Sequence, residues 1–311
     1  MTNSVALCEI IEEYGLKVLT EDVDIKSKMI YNSEINRPAL QLAGFYDYFD
    51  EDRIQLVGKV ETAYLLKITP RQRRDTLERL FKRKLPAVII CRGIEPFPEM
   101  LKNANENGVP VLQSDESTAN FMAEIMRWLH DKLAEKIMTH GVLVDIYGEG
   151  VLIMGESGIG KSEAALELIQ RGHRLVADDS IIIKRVSSET LIGSCPEVIQ
   201  NFVELRGIGI VDVRQLFGVQ SIKATQAIDL VIKLESWDSS KFYDRLGMTE
   251  EYAEILGNKI VCNHIPIRPG RNIAIICESA AINNRQKKMG YNAAHVLSAR
   301  VLENMNKKNN D

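Results

Sequence analysis

The sequence predicts an α/β protein made of a small N-terminal α/β domain and a C-terminal domain with a mixed sheet. Strand and helix signals alternate over about the first 128 residues, as they do in α/β folds. A glycine-rich loop at residues 155–162 then joins a buried strand to a helix. From His140 onward β signals dominate and do not follow a plain strand–helix alternation, which predicts a mixed sheet.

Length and composition place the chain among globular proteins. Its 311 residues suggest two domains, and 45% hydrophobic with 26% charged residues suffice for a sizeable core. The formal charge of −4 and the lack of a nucleic-acid module argue against a nucleic-acid partner. Five widely spaced cysteines without a CxxC pair predict free thiols in a reducing compartment. No apolar run could span a bilayer and the acidic N-terminus is unlike a signal peptide, so we expect no membrane partner and a cytoplasmic location.

The N-terminal domain is expected to alternate short strands and helices without a catalytic motif. A helix is predicted over residues 4–14, with strands at 56–58, 87–91 and 109–112. Thr69-Pro70 predicts a helix start, a cap followed by proline at the first helical position. The basic residues of that helix predict a solvated face, or alternatively a docking surface for an acidic partner. Ser117 caps a long helix, and we place the domain boundary inside it, giving domains 1–130 and 131–311.

The C-terminal domain is expected to contain many strands around one early helix. Strands are predicted at residues 141–147, 150–154, 174–177, 181–186, 208–213, 230–234 and 273–277. The helix after the glycine loop is predicted over residues 161–170, and a closing helical segment over residues 280–303.

The glycine loop is the strongest functional signal. Gly155, four intervening residues, Gly160, Lys161 and Ser162 satisfy the P-loop pattern for binding nucleotide phosphates. The glycines allow a tight turn whose N–H groups face an anion, and the following helix adds the positive end of its dipole. Lys161 is expected to reach the terminal phosphates and Ser162 to offer its hydroxyl to Mg²⁺. The predicted nucleotide-binding residues are Gly155, Glu156, Ser157, Gly158, Ile159, Gly160, Lys161 and Ser162.

Two acidic residues, Asp178 and Asp179, follow the strand predicted at residues 174–177. In a phosphate-transfer site one carboxylate can hold Mg²⁺ while a second accepts the proton of the attacking hydroxyl. Neighbouring side chains on a strand point to opposite faces, so both can serve one site only if the backbone bends there. A polar turn after the strand is the competing interpretation.

Three further features are weaker by chemistry alone. Glu204 and Arg206 stand beside two glycines, and a surface ion pair would explain them. Residues 266–271 offer two arginines in a loop stiffened by proline and glycine, and arginine favours planar phosphate contacts. A basic turn explains that loop equally well. His140 and Arg245 would ordinarily be a packed histidine and a surface residue.

Taken together in chain order, these segments resemble one family. His140-Gly141, GESGIGKS, ADD, ELRGIGIVDV, DRLG and PIRPGRN are similar to blocks of the bifunctional HPr kinase/phosphorylase family of low-GC Gram-positive bacteria. The resemblance runs over essentially the whole chain, is densest from His140 to Asn272, and shows no departure at a motif position. A glycine loop occurs in many families, whereas these six blocks in this order are highly specific.

The resemblance implies a serine protein kinase that uses ATP or pyrophosphate to phosphorylate a regulatory serine of HPr, the phosphocarrier of the sugar phosphotransferase system. It also implies the reverse reaction, in which inorganic phosphate attacks the seryl phosphate and pyrophosphate forms. Such an enzyme controls carbon catabolite repression and sugar uptake. The resemblance further implies a homohexamer, a kinase fold similar to phosphoenolpyruvate carboxykinase, and fructose 1,6-bisphosphate as an allosteric effector that favours the kinase direction.

The same resemblance implies roles for individual residues. Ser162 and Glu204 would hold Mg²⁺, and Asp179 would accept a proton in the forward direction and donate it in reverse. The catalytic candidates are His140, Lys161, Asp178, Asp179 and Arg245, with the division of labour between the two aspartates left open. The stretch serving both reactions is Val203, Glu204, Leu205, Arg206, Gly207, Ile208, Gly209, Ile210, Val211 and Asp212. The loop serving dephosphorylation is Pro266, Ile267, Arg268, Pro269, Gly270 and Arg271.

Two other functions stay open from the sequence. One is a P-loop kinase that acts on a small metabolite. The other is a regulator whose assembly responds to nucleotide and which transfers no phosphate. The chain lacks an NKxD guanine signature, which argues against a GTPase switch. Incubation with Mg-ATP and HPr separates these functions, because only a protein kinase phosphorylates the HPr serine.

Overall fold

A computed structural model of the chain describes residues 3–241, 247–268 and 270–308. The chain divides into two compact units, Met1–Ala134 and Glu135–Asp311. This division falls directly after the helix Thr118–Leu133, whereas the predicted boundary between residues 130 and 131 lies inside that helix. Within the described ranges, no helix is both long and apolar enough to cross a membrane.

The first unit is built on a sheet whose strands alternate with helices. Its strands are β1 (Val5–Ala6), β2 (Lys17–Val18), β3 (Met29–Ile30), β4 (Ile35–Asn36), β5 (Ile54–Val57), β6 (Val88–Ile90) and β7 (Val111–Gln113). Its helices are α1 (Leu7–Tyr14), α2 (Ala39–Leu42), α3 (Lys59–Lys67), α4 (Pro70–Phe81), α5 (Pro98–Asn107) and α6 (Thr118–Leu133). Strands β4, β5, β6 and β7 pair in parallel, β2 joins β7 antiparallel, and β1 pairs with β3 as a separate ribbon. The predicted α/β character of this unit is confirmed.

Local sequence explains where the two main helices of the first unit begin. Thr69 caps α4 by accepting the Gln72 N–H at 3.3 Å, and Pro70 occupies the first helical position. Ser117 caps α6 by accepting the Asn120 N–H at 3.3 Å. Both predicted helix starts are therefore confirmed. One apolar cluster packs α1 and α6 against the sheet, and a second packs α4 and α5.

The second unit contains a mixed sheet with the glycine loop near its centre. Its strands are β8 (Lys136–Ile146), β9 (Glu149–Gly155), β10 (Arg174–Arg185), β11 (Leu191–Ser194), β12 (Phe202–Leu205), β13 (Gly209–Asp212), β14 (Thr225–Ala227), β15 (Leu230–Ser236), β16 (Glu251–Ile255) and β17 (Asn258–Ile267). Its helices are α7 (Lys161–Gln170), α8 (Val213–Phe217), α9 (Ile273–Lys288) and α10 (Ala293–Lys308). Over the described residues the sheet order is β14-β11-β10-β8-β9-β15-β17-β16, and β12 pairs with β13 as a hairpin. The prediction of a mixed sheet is confirmed.

Parallel pairing brings three strand ends to one edge of this sheet. Strands β9, β15 and β17 run parallel and end at Gly155, Ser236 and Ile267. The glycine loop, Trp237 and the 266–271 loop therefore continue from the same edge. That edge is where open α/β sheets bind their ligands. Helices α7 and α9 pack on one face of the sheet in a shared apolar core.

Three predicted strands of the second unit differ from the structure. Residues 273–277 begin helix α9, because their buried members continue as Ala274, Cys277 and Ala281, which is helical spacing. Residues 174–177 and 181–185 belong to one continuous strand, β10, rather than to two strands, and the predicted Val186 lies just beyond its end. The strands of this unit that were not predicted are β11, β12, β14, β16 and β17. In the first unit, α1 begins at Leu7, because Val5 and Ala6 pair with β3 instead of joining the helix.

Candidate active site

The glycine loop links the end of β9 to the start of α7, as the P-loop pattern predicts. Gly158 and Gly160 have φ values of +83° and +101°, a region that other residues adopt only with strain. A Cβ on Gly160 would lie 3.1 Å from Ile273 Cδ1, and one on Gly158 would lie 2.6 Å from Arg206 Nη1. The positive φ values favour glycine at both positions, and a side chain at Gly158 would also displace the Arg206 guanidinium.

Lys161 is held at the entrance of the loop. Its Nζ donates to the carbonyl oxygen of Gly155 at 2.8 Å and to that of Glu156 at 2.9 Å. These are hydrogen bonds of an ammonium group to neutral acceptors, which a phosphate oxygen can replace because an anion is the stronger partner. Lys161 is thus positioned to transfer its contacts to a bound phosphate.

Asp178 lies under the start of α7. Its Oδ1 accepts the Ser162 hydroxyl at 3.0 Å and its Oδ2 accepts the Glu204 N–H at 3.3 Å. The residue is 3% exposed, and this burial raises the pKa of its carboxyl above the usual range, assisted by the neighbouring charge of Asp179. The hydrogen bonds from Ser162 and Glu204 act in the opposite direction and limit the rise in pKa.

Asp179 occupies a different environment, although it is the next residue. Its φ of +65° bends the strand locally, so its side chain and that of Asp178 line the same pocket. The Asp179 side chain is 74% exposed, and its Oδ1 lies 3.7 Å from Nδ1 of His140. The same His140 nitrogen lies 3.2 Å from the Asp179 carbonyl oxygen. The bend that the sequence required for a shared site is therefore present.

The β12–β13 hairpin contacts the glycine loop through Arg206. Arg206 Nη2 donates to the Ser157 hydroxyl at 2.9 Å, so a guanidinium lies directly over the glycine loop. Val203 and Leu205 anchor the hairpin in the core shared with α7. The alternating burial of β12 leaves Glu204 exposed toward the pocket.

One pocket collects most of the predicted residues. Its lining comprises Ser157, Gly158, Gly160, Lys161, Ser162, Glu163, Asp178, Asp179, Glu204 and Arg206. Glu163 was missed by sequence reasoning, although its place in the first turn of the P-loop helix was a usable signal. Cys195 interacts with Asp178 but is not part of this lining; burial, with a smaller effect of the Asp178 charge, raises the pKa of its thiol to about 11.

The 266–271 loop lies at the same sheet edge but outside that lining. The Arg268 guanidinium carbon is 3.5 Å from the centre of the Trp237 ring, a cation–π arrangement. Arg271 Nη1 donates to the Pro266 carbonyl oxygen at 2.5 Å, which closes the loop on itself. Arg245 and Pro269 lie outside the described residues.

The oxygen donors of the pocket suit Mg²⁺. The Ser162 hydroxyl and the carboxylates of Asp178, Asp179 and Glu204 are hard oxygen ligands of the kind this ion takes. Across the residues that the structure describes, no cluster of three or more His, Cys, Asp or Glu side chains forms a metal site. Mg²⁺ is usually held by only one or two carboxylates, together with substrate phosphates and water.

A P-loop with a serine, paired aspartates and a covering arginine is typical of nucleotide-dependent phosphotransferases. Two family models match the chain: HPr Serine kinase N terminus over residues 5–129 and HPr Serine kinase C-terminal domain over residues 131–301. The chain therefore belongs to the HPr serine kinase family, as the motif blocks predicted, and it is an enzyme of phosphoryl transfer.

Individual relatives match over nearly the whole length. The HPr kinase/phosphorylase of Lachnoclostridium phytofermentans is 57% identical over 305 residues, covering 98% of this chain and 99% of the relative. That of Caldicellulosiruptor bescii is 54% identical over 301 residues, covering 97% of each. A solved structure of the HPr(Ser) kinase/phosphatase from Coxiella burnetii is 38% identical, covers 52% of this chain and 98% of that chain, and has a TM-score of 0.47.

Proposed function

We propose that this protein phosphorylates a serine of HPr with ATP or pyrophosphate and removes the same phosphate by phosphorolysis. The observation that carries the proposal is the pocket in which the P-loop, Asp178 and Asp179 meet, within a chain of the HPr serine kinase family. The reverse reaction would consume inorganic phosphate and release pyrophosphate. Through this pair of reactions the protein would control carbon catabolite repression and sugar uptake.

In the forward direction the chain's own groups divide the work. The N–H groups of the glycine loop and the start of α7 would bind the donor phosphates, and Lys161 would follow the transferring group. Asp179 is exposed and within reach of a substrate, so it would take the proton of the attacking serine. His140 would orient the Asp179 carboxylate. Arg206 would exchange its bond to Ser157 for a phosphate oxygen.

Ser162 and Glu204 are the proposed Mg²⁺ ligands. Bound Mg²⁺ would neutralise charge that develops on the phosphate oxygens. Asp178 would hold the Ser162 hydroxyl and the Glu204 backbone in place, which fixes both ligands from beneath. In this account Asp178 positions the metal ligands and Asp179 exchanges the proton.

The 266–271 loop is proposed to serve the reverse direction, in which the site must hold an additional anion. Arg268 and Arg271 offer guanidinium groups at the sheet edge from which the P-loop also continues. Arg245 is proposed as a further catalytic residue on the basis of its motif. A homohexamer, and fructose 1,6-bisphosphate favouring the kinase direction, are proposed from the family resemblance. Light scattering, and kinase assays with and without the bisphosphate, test these two proposals.

The test of the proposed function is transfer of labelled phosphate from Mg-ATP to purified HPr. The expected product is HPr phosphorylated on serine, and the Lys161→Ala variant is the inactive control. Label in a small metabolite only would favour a metabolite kinase. Nucleotide binding without any transfer would favour a nucleotide-gated regulator. Either of these results would reject the proposal.

A further inference from the structure

Helix α9 begins against the P-loop. Its first residue, Ile273, lies with Cδ1 only 3.1 Å from the position of a Cβ on Gly160. The residue before it, Asn272, caps the helix by accepting the Ile275 N–H at 2.8 Å. Because Asn272 directly follows the 266–271 loop, the start of α9 is the point where that loop meets the phosphate-binding element.

Asn272 also reaches the P-loop helix itself. Its Nδ2 donates to Glu167 Oε1 on α7 at 2.7 Å. Glu167 is held in turn by Arg171, whose Nη2 donates to the same oxygen at 2.8 Å. The hydrogen bond from Asn272 is the main cause of a lowered pKa of the Glu167 carboxyl. One amide thus ends the loop, caps α9 and bonds to the helix that carries Lys161.

We infer that the Asn272–Glu167 hydrogen bond positions the 266–271 loop relative to the P-loop and thereby supports the phosphate-dependent reverse reaction. The inference rests on the proposed function. Neither residue lines the pocket, so each acts through the elements it joins. The loop arginines can hold the extra anion only if the loop stays at a fixed distance from the phosphates that the P-loop binds.

The decisive variant is Asn272→Asp. Aspartate caps a helix as well as asparagine does, so α9 keeps its cap. The new carboxylate, however, faces the Glu167 carboxylate across the former hydrogen bond and repels it. Small misplacements of reacting groups can cost up to roughly a hundredfold, so we expect dephosphorylation to fall about tenfold. The kinase rate should change less than about twofold, because the P-loop contacts themselves are retained.

The double variant Asn272→Asp/Glu167→Gln tests the bond itself. The glutamine amide can donate to the new aspartate, which restores the hydrogen bond with its direction reversed. Dephosphorylation should return to within about threefold of the wild-type rate. A role in stability alone would lower both rates together, so the rescue is measured as the ratio of the dephosphorylation rate to the kinase rate.

Glu278→Gln is the matched control on the same two helices. Arg171 Nη1 donates to Glu278 Oε2 at 3.0 Å, so this pair also joins α7 to α9. The control should lower stability while leaving the ratio of the two rates unchanged. Two results with an active wild-type chain would overturn this inference but not the proposed function. One is that Asn272→Asp leaves the ratio of the dephosphorylation and kinase rates unchanged, and the other is that Glu278→Gln shifts that ratio equally. Lack of serine phosphorylation by the wild-type chain would instead reject the proposed function.

Discussion

At the scale of single residues, Asp178 and Asp179 show how the backbone separates the chemistry of two adjacent carboxylates. Asp178 is 3% exposed and bonded to Ser162, whereas the side chain of Asp179 is 74% exposed beside His140. A general base must reach the proton that it removes, and only the exposed carboxylate is open to a protein substrate. The structure therefore favours Asp179 as the group that exchanges protons and Asp178 as the group that positions metal ligands.

Asp179→Asn should lower the kinase and phosphorylase rates together. Loss of general acid–base help typically costs about 10²–10⁴-fold, and the same group serves both directions of one reaction. Nucleotide binding should survive, because the P-loop is untouched. Rates of both reactions and the Kd for nucleotide, measured on one preparation, check this. If Asp179→Asn spared one direction while Asp178→Asn abolished both, Asp178 would be the acid–base group.

Asp178→Asn should change how stability depends on pH. The folded-state pKa of Asp178 is raised, so the folded chain binds this proton more tightly than the unfolded chain does. The stabilisation is complete below the unfolded pKa of about 3.9 and is lost as pH rises through the folded pKa. Asparagine cannot ionise, so the variant does not suffer this loss.

Thermal unfolding with EDTA present measures the effect on stability. We expect the Tm of Asp178→Asn, relative to wild type, to increase as the pH is raised from about 4 to 7. A Tm difference that is constant over this range would contradict the assignment of a buried, destabilising carboxylate. The Asp179→Asn variant serves as the exposed counterpart.

At the scale of elements, the site is assembled from a strand–loop–helix unit and a hairpin that covers it. The glycine loop lies between β9 and α7, and Arg206 of the β12–β13 hairpin reaches across to Ser157. The turn of the hairpin and the start of β13 are exposed, with Ile208 and Ile210 at 75% and 74% accessibility. An arginine on an exposed turn can follow a substrate as it binds and leaves.

Gly158→Ala should weaken nucleotide binding far more than Gly148→Ala does. Both glycines have positive φ, +83° and +93°, so both substitutions introduce similar backbone strain. A Cβ at Gly158 would also lie 2.6 Å from Arg206 Nη1, whereas a Cβ at Gly148 would meet no atom within 4 Å. Nucleotide titrations compare the two variants. Equal binding by both would show that the covering arginine is unimportant.

Neutralising Arg268 or Arg271 with glutamine should harm dephosphorylation more than phosphorylation. A hydrogen bond to a charged group contributes about 1.5–3 kcal/mol, so the reverse rate should fall by about tenfold or more. The forward reaction uses donor phosphates that the P-loop already holds. Both rates are to be measured on the same preparation of each variant. Equal losses in the two directions would remove the special role of this loop.

The sequence predicted the P-loop and its helix from local spacing, and the family from its resemblance over six motif blocks in order. It could not resolve residues 273–277, whose isoleucines favour a strand until the cap at Asn272 and the burial of Ala274 and Cys277 are known. Nor could it show that β10 continues through Asp179, since aspartate is only enriched at positive φ and most aspartates do not adopt it. The contact between Asn272 and Glu167 joins positions 105 residues apart and required the tertiary fold.

At the scale of the whole molecule, each compact unit has its own core, and the pocket is built entirely within the second. The described residues of the first unit contribute none of the pocket lining. The central claim concerns the second unit alone: a single P-loop site carries out both reactions on the same serine.

The most direct measurement of this claim follows the phosphorus of serine-phosphorylated HPr. The labelled protein is incubated with the enzyme, Mg²⁺ and unlabelled inorganic phosphate. We expect the label to leave as pyrophosphate, with one pyrophosphate formed for each serine that is dephosphorylated. Lys161→Ala should abolish this reaction together with the kinase reaction. Release of the label as free phosphate without added phosphate would contradict the claim, because that result is hydrolysis by water. Loss of only one reaction in Lys161→Ala would contradict a shared site.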